Sequence, residues 1–428
     1  MNHSERTNRR WRIAVLLGVG ILINYLDRVN LSVAHEALRD EFGISNETFG
    51  YLSSAYVWTY AVLQLPMGVL LDRFGVPTLG RISALLWSVA SFASAGATGV
   101  GSFFATRLLL GIGEAPTFPA SAKAVRAWFP RHERSLATSA FDGASKLASA
   151  IGVPLIGILI VHIGWRLSFA FTGLISFFFF LAFYFLYKDP ENDPKLSHSE
   201  RHYISKDHED EPTQGGRSAS LGYLLGQRKV LGLTLGFFAY NYCFYIFLTW
   251  LPSYFSGVFH IDLQHSALFT SVPWFVAAFM DFVIGGWLVD TLIRRGHRET
   301  LVRQSVLVGG TALGLAIIGV IFSHDLVTAV FWISVSLGGL SAAAPVGWSV
   351  PGLIAPRNSV GKVGGILNTG NQIAGIIAPT ATGYLAGPTN AHFGRAFAAA
   401  AIILVIGICA YIFLLGKIEQ LPEPVNTV

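Results

Sequence analysis

The sequence predicts an all-α membrane protein of twelve transmembrane helices, arranged as two pseudo-symmetric six-helix bundles. Three observations carry that expectation. Hydrophobic residues make up 52% of the 428-residue chain and charged residues only 13%, where a soluble domain carries about 25% charged. Apolar segments long enough to cross a hydrocarbon core, which takes about 20 residues of helix, recur twelve times. A short motif also repeats at an offset that matches half of the series.

The twelve segments fall at 11–36, 47–72, 78–98, 100–128, 134–160, 166–188, 229–257, 264–291, 300–322, 326–354, 361–386 and 393–416. The basic stretch Met1 to Arg12 before the first segment resembles a signal peptide. Its apolar run is too long, lacks a small-residue cleavage pattern and continues into NYLDRVN, so it reads as a retained first transmembrane helix. One long polar stretch, 189–228, contains KDPENDPKLSHSERHYISKDHEDEPTQGG. It reads as a solvated linker with room for a short amphipathic helix. The expected division is therefore an N-terminal bundle at 1–188, the linker at 189–228 and a C-terminal bundle at 229–428.

Charge sets the orientation. Of the 30 Lys and Arg, 24 lie on the side of the termini and linker, while only Arg39, Arg166 and Arg395 lie opposite. By the positive-inside rule both termini and the linker are cytoplasmic, and the chain belongs in the cell's inner (plasma) membrane. The basic residues are distributed between hydrophobic segments and not clustered, so they do not read as a nucleic-acid patch. Arg28, Arg107 and Lys146 remain inside apolar segments.

The motif is GVLLDRFG, ending the second segment, and GWLVDTLIRRG, ending the eighth. Gly68 to Asp72 and Gly286 to Asp290 share a GxxxD spacing and lie 218 residues apart, as do segment starts 11 and 229. Two parallel six-helix halves joined by a linker are the layout of major facilitator transporters. Asp72, Arg73 and Asp290 are candidate gating residues at the helix ends.

Ionisable side chains inside a bilayer are costly and point to function. The first segment holds Asn24, Tyr25, Asp27 and Arg28. Asp27 and Arg28 are adjacent, so they point about 100° apart and need different partners. The fourth holds Arg107 and Glu114 in RLLLGIGEAPTFPA. Seven residues put them on one face about 10.5 Å apart, framing room for a small anion. Gly111 and Gly113 permit close helix approach, and Pro116 and Pro119 can bend the helix. Tyr56, Tyr60 and Gln64 recur every four residues and read as a cavity wall. Asp142 and Lys146 in the fifth segment, and Asp281 in the eighth, are further internal charges. Lys146 either pairs with Asp142 one turn away or faces the cavity as an extra cation.

NYLDRVNLS, GVLLDRFG, RLLLGIGEAPTFP, NYCFYIFLTWLPSYF and GILNTGNQIAGIIAPTATGYL together resemble the anion:cation symporter branch of the major facilitator superfamily. That branch includes bacterial galactonate, glucarate and hexuronate transporters and, more distantly, vesicular glutamate and sialic-acid transporters. The resemblance implies that Asp27 and Glu114 couple protons and that Arg28 and Arg107 recognise the substrate anion. It implies substrate contacts from Tyr60 and polar contacts from Asn368, Asn371 and Gln372. Tyr25, Tyr56, Gln64, Asn241, Tyr245 and Trp348 complete the candidate binding set. It also places the fifth and eighth helices opposite each other, so Lys146 could alternate between substrate and Asp281. Ser145 departs from the amide expected in galactonate-like members, which argues against a galactonate-type substrate.

These readings point to proton-coupled symport of an organic-acid anion (an aldonate, aldarate, uronate or other carboxylate) into the cell by alternating access. The expected partners are the anion, protons and the lipid bilayer, with no nucleic acid, for a monomer. Arg suits the anion because its planar fork binds carboxylate bidentately. Inside-negative potential opposes anion entry by about 2.3 kcal/mol per charge per 100 mV, which co-transported protons offset. The alternatives are a sugar or drug porter of the same fold, or a sensor that kept it. The two internal arginines oppose the porter and the coupling carboxylates oppose the sensor. An enzyme is not expected: no nucleophile motif or phosphate-binding loop occurs. No cofactor or metal is expected; His198 and His202 are spaced like a metal pair but lack a third ligand. No histidine is expected well inside a helix, and Cys243 and Cys409 read as inert core thiols.

Overall fold

The computed structural model describes residues 8–209, 219–356, 359–387 and 392–423. Among these the secondary structure is helical throughout. The helices are α1 (Arg9–Val33), α2 (His35–Phe42), α3 (Asn46–Ala95), α4 (Val100–Glu114), α5 (Thr117–Trp128), α6 (Arg131–Leu186), α7 (His198–Glu209) and α8 (Leu221–Leu225). They continue with α9 (Arg228–Phe259), α10 (Leu263–Met280), α11 (Val289–Arg294), α12 (Glu299–Gly314), α13 (Ile317–Ile321), α14 (Leu326–Ser349), α15 (Pro351–Ile354), α16 (Val360–Ala386) and α17 (Phe393–Cys409).

These make the twelve expected passes, because α3 and α6 each contain two. Each bends back at one glycine with positive φ, Gly75 (77°) and Gly164 (79°). That region of backbone space is costly for residues with a Cβ. Among the described residues, eight helices are long and apolar enough to span a membrane by length and composition alone. The α4–α5 pass, which carries Arg107 and Glu114, and α16, which carries Asn368, Asn371 and Gln372, are not among them. In α16 the polar side chains lower the mean hydropathy, whereas α4 (15 residues) and α5 (12 residues) are each too short because the pass breaks after Glu114.

The chain forms two compact units. Unit 1 comprises Met1–Asn30, Ala55–Gly152 and Ile158–Thr213. In it α4 lies tightly against both limbs of α3. A Cβ on Gly111 would sit 2.0 Å from the Tyr56 carbonyl oxygen, and one on Gly113 would sit 2.7 Å from the Trp87 nitrogen. The two glycines thus serve the close approach expected of them.

The linker is less solvated than its composition predicts. Asp193 and Glu200 are buried. Glu200 accepts the backbone N–H groups of Arg9 (3.1 Å) and Arg10 (3.2 Å) at the start of α1, and the Arg10 guanidinium at 2.8 Å. Asp193 accepts Arg9 Nε at 2.8 Å, and Glu133 of α6 accepts Arg10 Nε at 2.8 Å. The first N–H groups of a helix have no partner within it and carry positive partial charge. A carboxylate from α7 supplies the missing acceptor, which is why an acidic segment turns inward here.

Unit 2 comprises Leu31–Ser54, Val153–Gly157 and Gln214–Val428. In it α9 packs on α16 and α17, and α14 packs on α10 and α12. The pass expected at 264–291 is not a regular α-helix. It turns π-helical over Asp281–Leu288, starting at the buried Asp281. Cys243 is buried, but Cys409 is exposed on α17, which corrects its assignment to the core.

Candidate functional site

Unit 1 brings four expected residues into one buried cluster. Arg28 donates from Nε (3.0 Å) and Nη2 (2.8 Å) to a single oxygen of Glu114, Oε2. The other oxygen, Oε1, is buried with no hydrogen-bond partner among the described residues. The Arg28 guanidinium also lies over three tyrosine rings, Tyr25 at 4.6 Å, Tyr56 at 5.0 Å and Tyr60 at 5.6 Å. Such faces attract a cation through the ring quadrupole. Three of the candidate binding residues, two of them expected in the cavity wall, therefore surround the arginine.

Asp27 takes different partners, as its 100° offset from Arg28 requires. Ser91 donates to Oδ1 at 2.8 Å and Ser176 to Oδ2 at 3.2 Å. Arg107 is fully buried between the rings of Phe103 and Phe169, each 5.4 Å away. Its Nη2 donates to Ser94 at 3.2 Å, while Nε and Nη1 have no hydrogen-bond partner among the described residues. Its charge acts on Asp27 and Glu114. The cluster thus sets two carboxylates and two guanidinium groups in a low-dielectric surround, where each protonation change is felt by the others. Asn24, one turn before Arg28, is also fully buried, and neither of its amide atoms has a hydrogen-bond partner among the described residues.

Glu114 stands at a break in its pass. Helix α4 stops at Glu114 and α5 starts at Thr117, with Pro116 between them. Two side chains take up carbonyls there: Gln64 Nε2 donates to Ala115 O at 3.3 Å and Ser83 Oγ to Gly113 O at 2.5 Å. Gln64 therefore supports the broken backbone beside Glu114.

Unit 2 holds a separate amide group. Asn241 Nδ2 donates to Asn371 Oδ1 at 2.8 Å, and Gln372 Nε2 donates to Asn368 Oδ1 at 3.2 Å. Tyr245 lies against α16 where Gly375 leaves room; a Cβ there would come within 2.8 Å of its ring. Trp348 is exposed and meets Phe237 edge-on at 5.2 Å.

Lys146 and Ser145 are buried in unit 1, and Asp281 is buried in unit 2. The Asp142 side chain lies outside the described residues. At the helix ends Asp72 accepts Lys123 Nζ at 2.6 Å, an exposed pair. Arg73 lies over Phe74 at 5.3 Å, and Asp290 is 3.9 Å from Arg294.

Several polar residues were not singled out from the sequence. Ser91 and Ser176 hold Asp27. Ser88, Ser91 and Ser94 recur every three residues, a signal that was available. His35, within the first expected segment but past the end of α1, is buried in unit 2. It stacks on Phe49 at 3.8 Å, and its Nδ1 lies 2.7 Å from Ser253 Oγ. Nearby Ser32 donates to Thr249 O at 2.7 Å, and Ser256 donates to Glu36.

The Major Facilitator Superfamily profile matches residues 17–379. The chain is 39% identical to the uncharacterized transporter YybO of Bacillus subtilis, covering 97% of each chain. It is 30% identical to the D-galactonate transporter of Escherichia coli O6:H1, covering 98% of this chain and 99% of the relative. Its fold matches the crystal structure of a bacterial homologue of the human lysosomal transporter Spinster. That match has a TM-score of 0.77 at 15% identity and covers 95% and 97% of the two chains. The protein is a multi-pass membrane transporter and not an enzyme, and it belongs to the Major Facilitator Superfamily, within its anion:cation symporter branch.

Proposed function

We propose that this transporter carries an organic-acid anion, a sugar acid or another carboxylate, into the cell together with protons by alternating access. The observation that carries the reading is the buried Arg28–Glu114 pair inside its cage of three tyrosines. Glu114 already occupies the guanidinium edge that a substrate carboxylate would take. A substrate that takes over Arg28 leaves Glu114 buried without its cation. An uncompensated buried charge costs several kcal/mol, and a proton removes that cost. Substrate arrival and proton uptake are thereby linked at one side chain. Asp27, held by two serines beside Arg107, offers a second proton site, and Arg107 a second cation.

The E. coli relative's name, D-galactonate transporter, supports a sugar-acid substrate. The reading includes both termini and the linker on the cytoplasmic side of the inner membrane, bundles at 1–188 and 229–428, and a monomer at work. Asn241, Asn368, Asn371, Gln372, Tyr245 and Trp348 would supply the second half's share of substrate contacts. Lys146 would add a cation for a second acidic group.

Uptake into proteoliposomes tests this. Labelled aldonates, aldarates, uronates and a neutral sugar are offered with and without an inward proton gradient. The reading expects gradient-stimulated uptake of at least one acid and none of the neutral sugar. Uptake of the sugar alone, or acid uptake indifferent to the gradient, contradicts it.

A further inference from the structure

Helix α1 begins where Glu200 of α7 accepts its first N–H groups, and its 25 residues carry it about 37 Å to Val33. Its far end therefore lies on the side of the membrane away from the linker. From Leu31 to Ser54 the chain belongs to unit 2, although the sequence counts it with the first six passes. Hydrogen bonds tie this stretch to α9. Ser32 donates to Thr249 O at 2.7 Å, His35 Nδ1 lies 2.7 Å from Ser253 Oγ, and Ser256 donates to Glu36. The start of α3 meets α16 in the same way. Thr380 Oγ1 donates to Ser54 Oγ at 3.3 Å, and Asn46 donates to Gly387 O. The backbones come close enough to require glycine: a Cβ on Gly50 would sit 2.7 Å from Pro379 O, and one on Gly383 would collide with Asn46 O. Trp250 joins the two flanks, meeting His35 edge-on at 5.3 Å and donating from Nε1 to Pro379 O at 3.1 Å. The result is a closed belt of contacts, wholly within unit 2.

Two features suit this belt to opening. First, His35 Nε2, Ser53 Oγ and Thr382 Oγ1 are buried with no hydrogen-bond partner among the described residues. A buried unpaired polar group is costly, and contact with water removes the cost. The belt thus holds groups that gain partners when it parts. The bonds it loses run mostly between hydroxyls and carbonyls, which water replaces at small net cost. Second, both segments lead straight into the Arg28 cage. Ser32 stands one turn after Arg28 on α1, and Ser54 stands two residues before Tyr56 on α3. A helix moves as a rigid element, so a shift of Arg28 or Tyr56 on substrate arrival is carried to the belt.

We propose that this belt is the gate on the side away from the linker, closed in this structure, and that Ser32, His35 and Glu36 must release α9 before substrate reaches Arg28 from that side. The inference deepens the alternating-access reading and rests on it for transport. The gating candidates Asp72, Arg73 and Asp290 belong to the linker-side helix ends, so the belt supplies the opposite gate. Its parts divide cleanly between the halves of the sequence. Ser32, His35, Glu36, Asn46 and Ser54 come from the first and second passes, and their partners come from α9 and α16. Opening means that the first two passes leave the seventh and eleventh. The closed state is defined by seated glycines and paired hydroxyls, and the open state exchanges both for water, which gives two discrete arrangements.

The labelling rate of a reporter cysteine reads this gate without any substrate. Ser53→Cys is introduced together with Cys243→Ala and Cys409→Ala, and the protein in nanodiscs is reacted with a water-soluble maleimide. Adding Ser253→Ala and Ser256→Ala should speed labelling about tenfold, the scale of two lost hydrogen bonds. Ser341→Cys, buried in α14 outside the belt, reports general loosening. An unchanged rate at position 53, or the same acceleration at position 341, overturns the gate. A second variant locks the belt. Ser54→Cys with Thr380→Cys puts two thiols where hydroxyl oxygens lie 3.3 Å apart, within reach of a disulfide. Uptake of labelled acids into proteoliposomes should be lost on oxidation and return on reduction. Full uptake by the oxidised, cross-linked protein overturns the gate. Wild-type protein that takes up no acid overturns the organic-acid reading instead, and the labelling rates still decide the gate.

Discussion

Arg28 directs two N–H groups at one oxygen of Glu114 while three tyrosines close around its plane, so its geometry is fixed by four residues at once. Lys146 is the other internal cation whose role decides substrate class. If it serves the substrate, Lys146→Gln weakens uptake of a dicarboxylate far more than of a monocarboxylate, by about tenfold or more for a lost charge-assisted contact. Competition assays with matched aldonate and aldarate ligands read this directly. Equal loss for both, rescued by removing Asp142, supports a structural pair instead. At this scale the sequence made the cast legible but not the pairing. The angular offset of adjacent helical residues separated Asp27 from Arg28, and the tyrosine spacing marked the wall. Nothing local tied Arg28 to Glu114, 86 residues away, or Asp27 to Ser91 and Ser176. Serines in a span are common and carry no cost that singles them out.

Helix α7 shows what an element can do that its composition hides. Its Glu200 caps α1 and pairs with Arg10, all buried. Glu200→Ala leaves those donors unsatisfied, at about 1–3 kcal/mol. The thermal midpoint in detergent should fall; an unchanged midpoint contradicts the cap. The Asp72–Lys123 pair between α3 and α5 is exposed, where ion pairs contribute little to stability. Asp72→Asn should therefore leave stability and substrate affinity nearly unchanged but slow turnover, as expected of a gate. A large loss of affinity at normal turnover would point to binding. Pass boundaries were legible because Gly75 and Gly164 fall in short gaps between apolar runs. The π-helical stretch at Asp281 was not, since one extra residue in a turn leaves no mark in an apolar sequence.

Across the molecule, apolar length, charge placement and the repeated GxxxD motif sufficed to read the twelve-helix fold. The burial of His35 was not readable, because it depends on Phe49, Trp250 and Ser253 arriving from other helices. The central claim is that proton and anion meet at Glu114, and Glu114→Gln in proteoliposomes tests it most directly. The account predicts that gradient-driven uptake is abolished while substrate counterflow persists. Uptake that keeps its normal dependence on the pH gradient would contradict it.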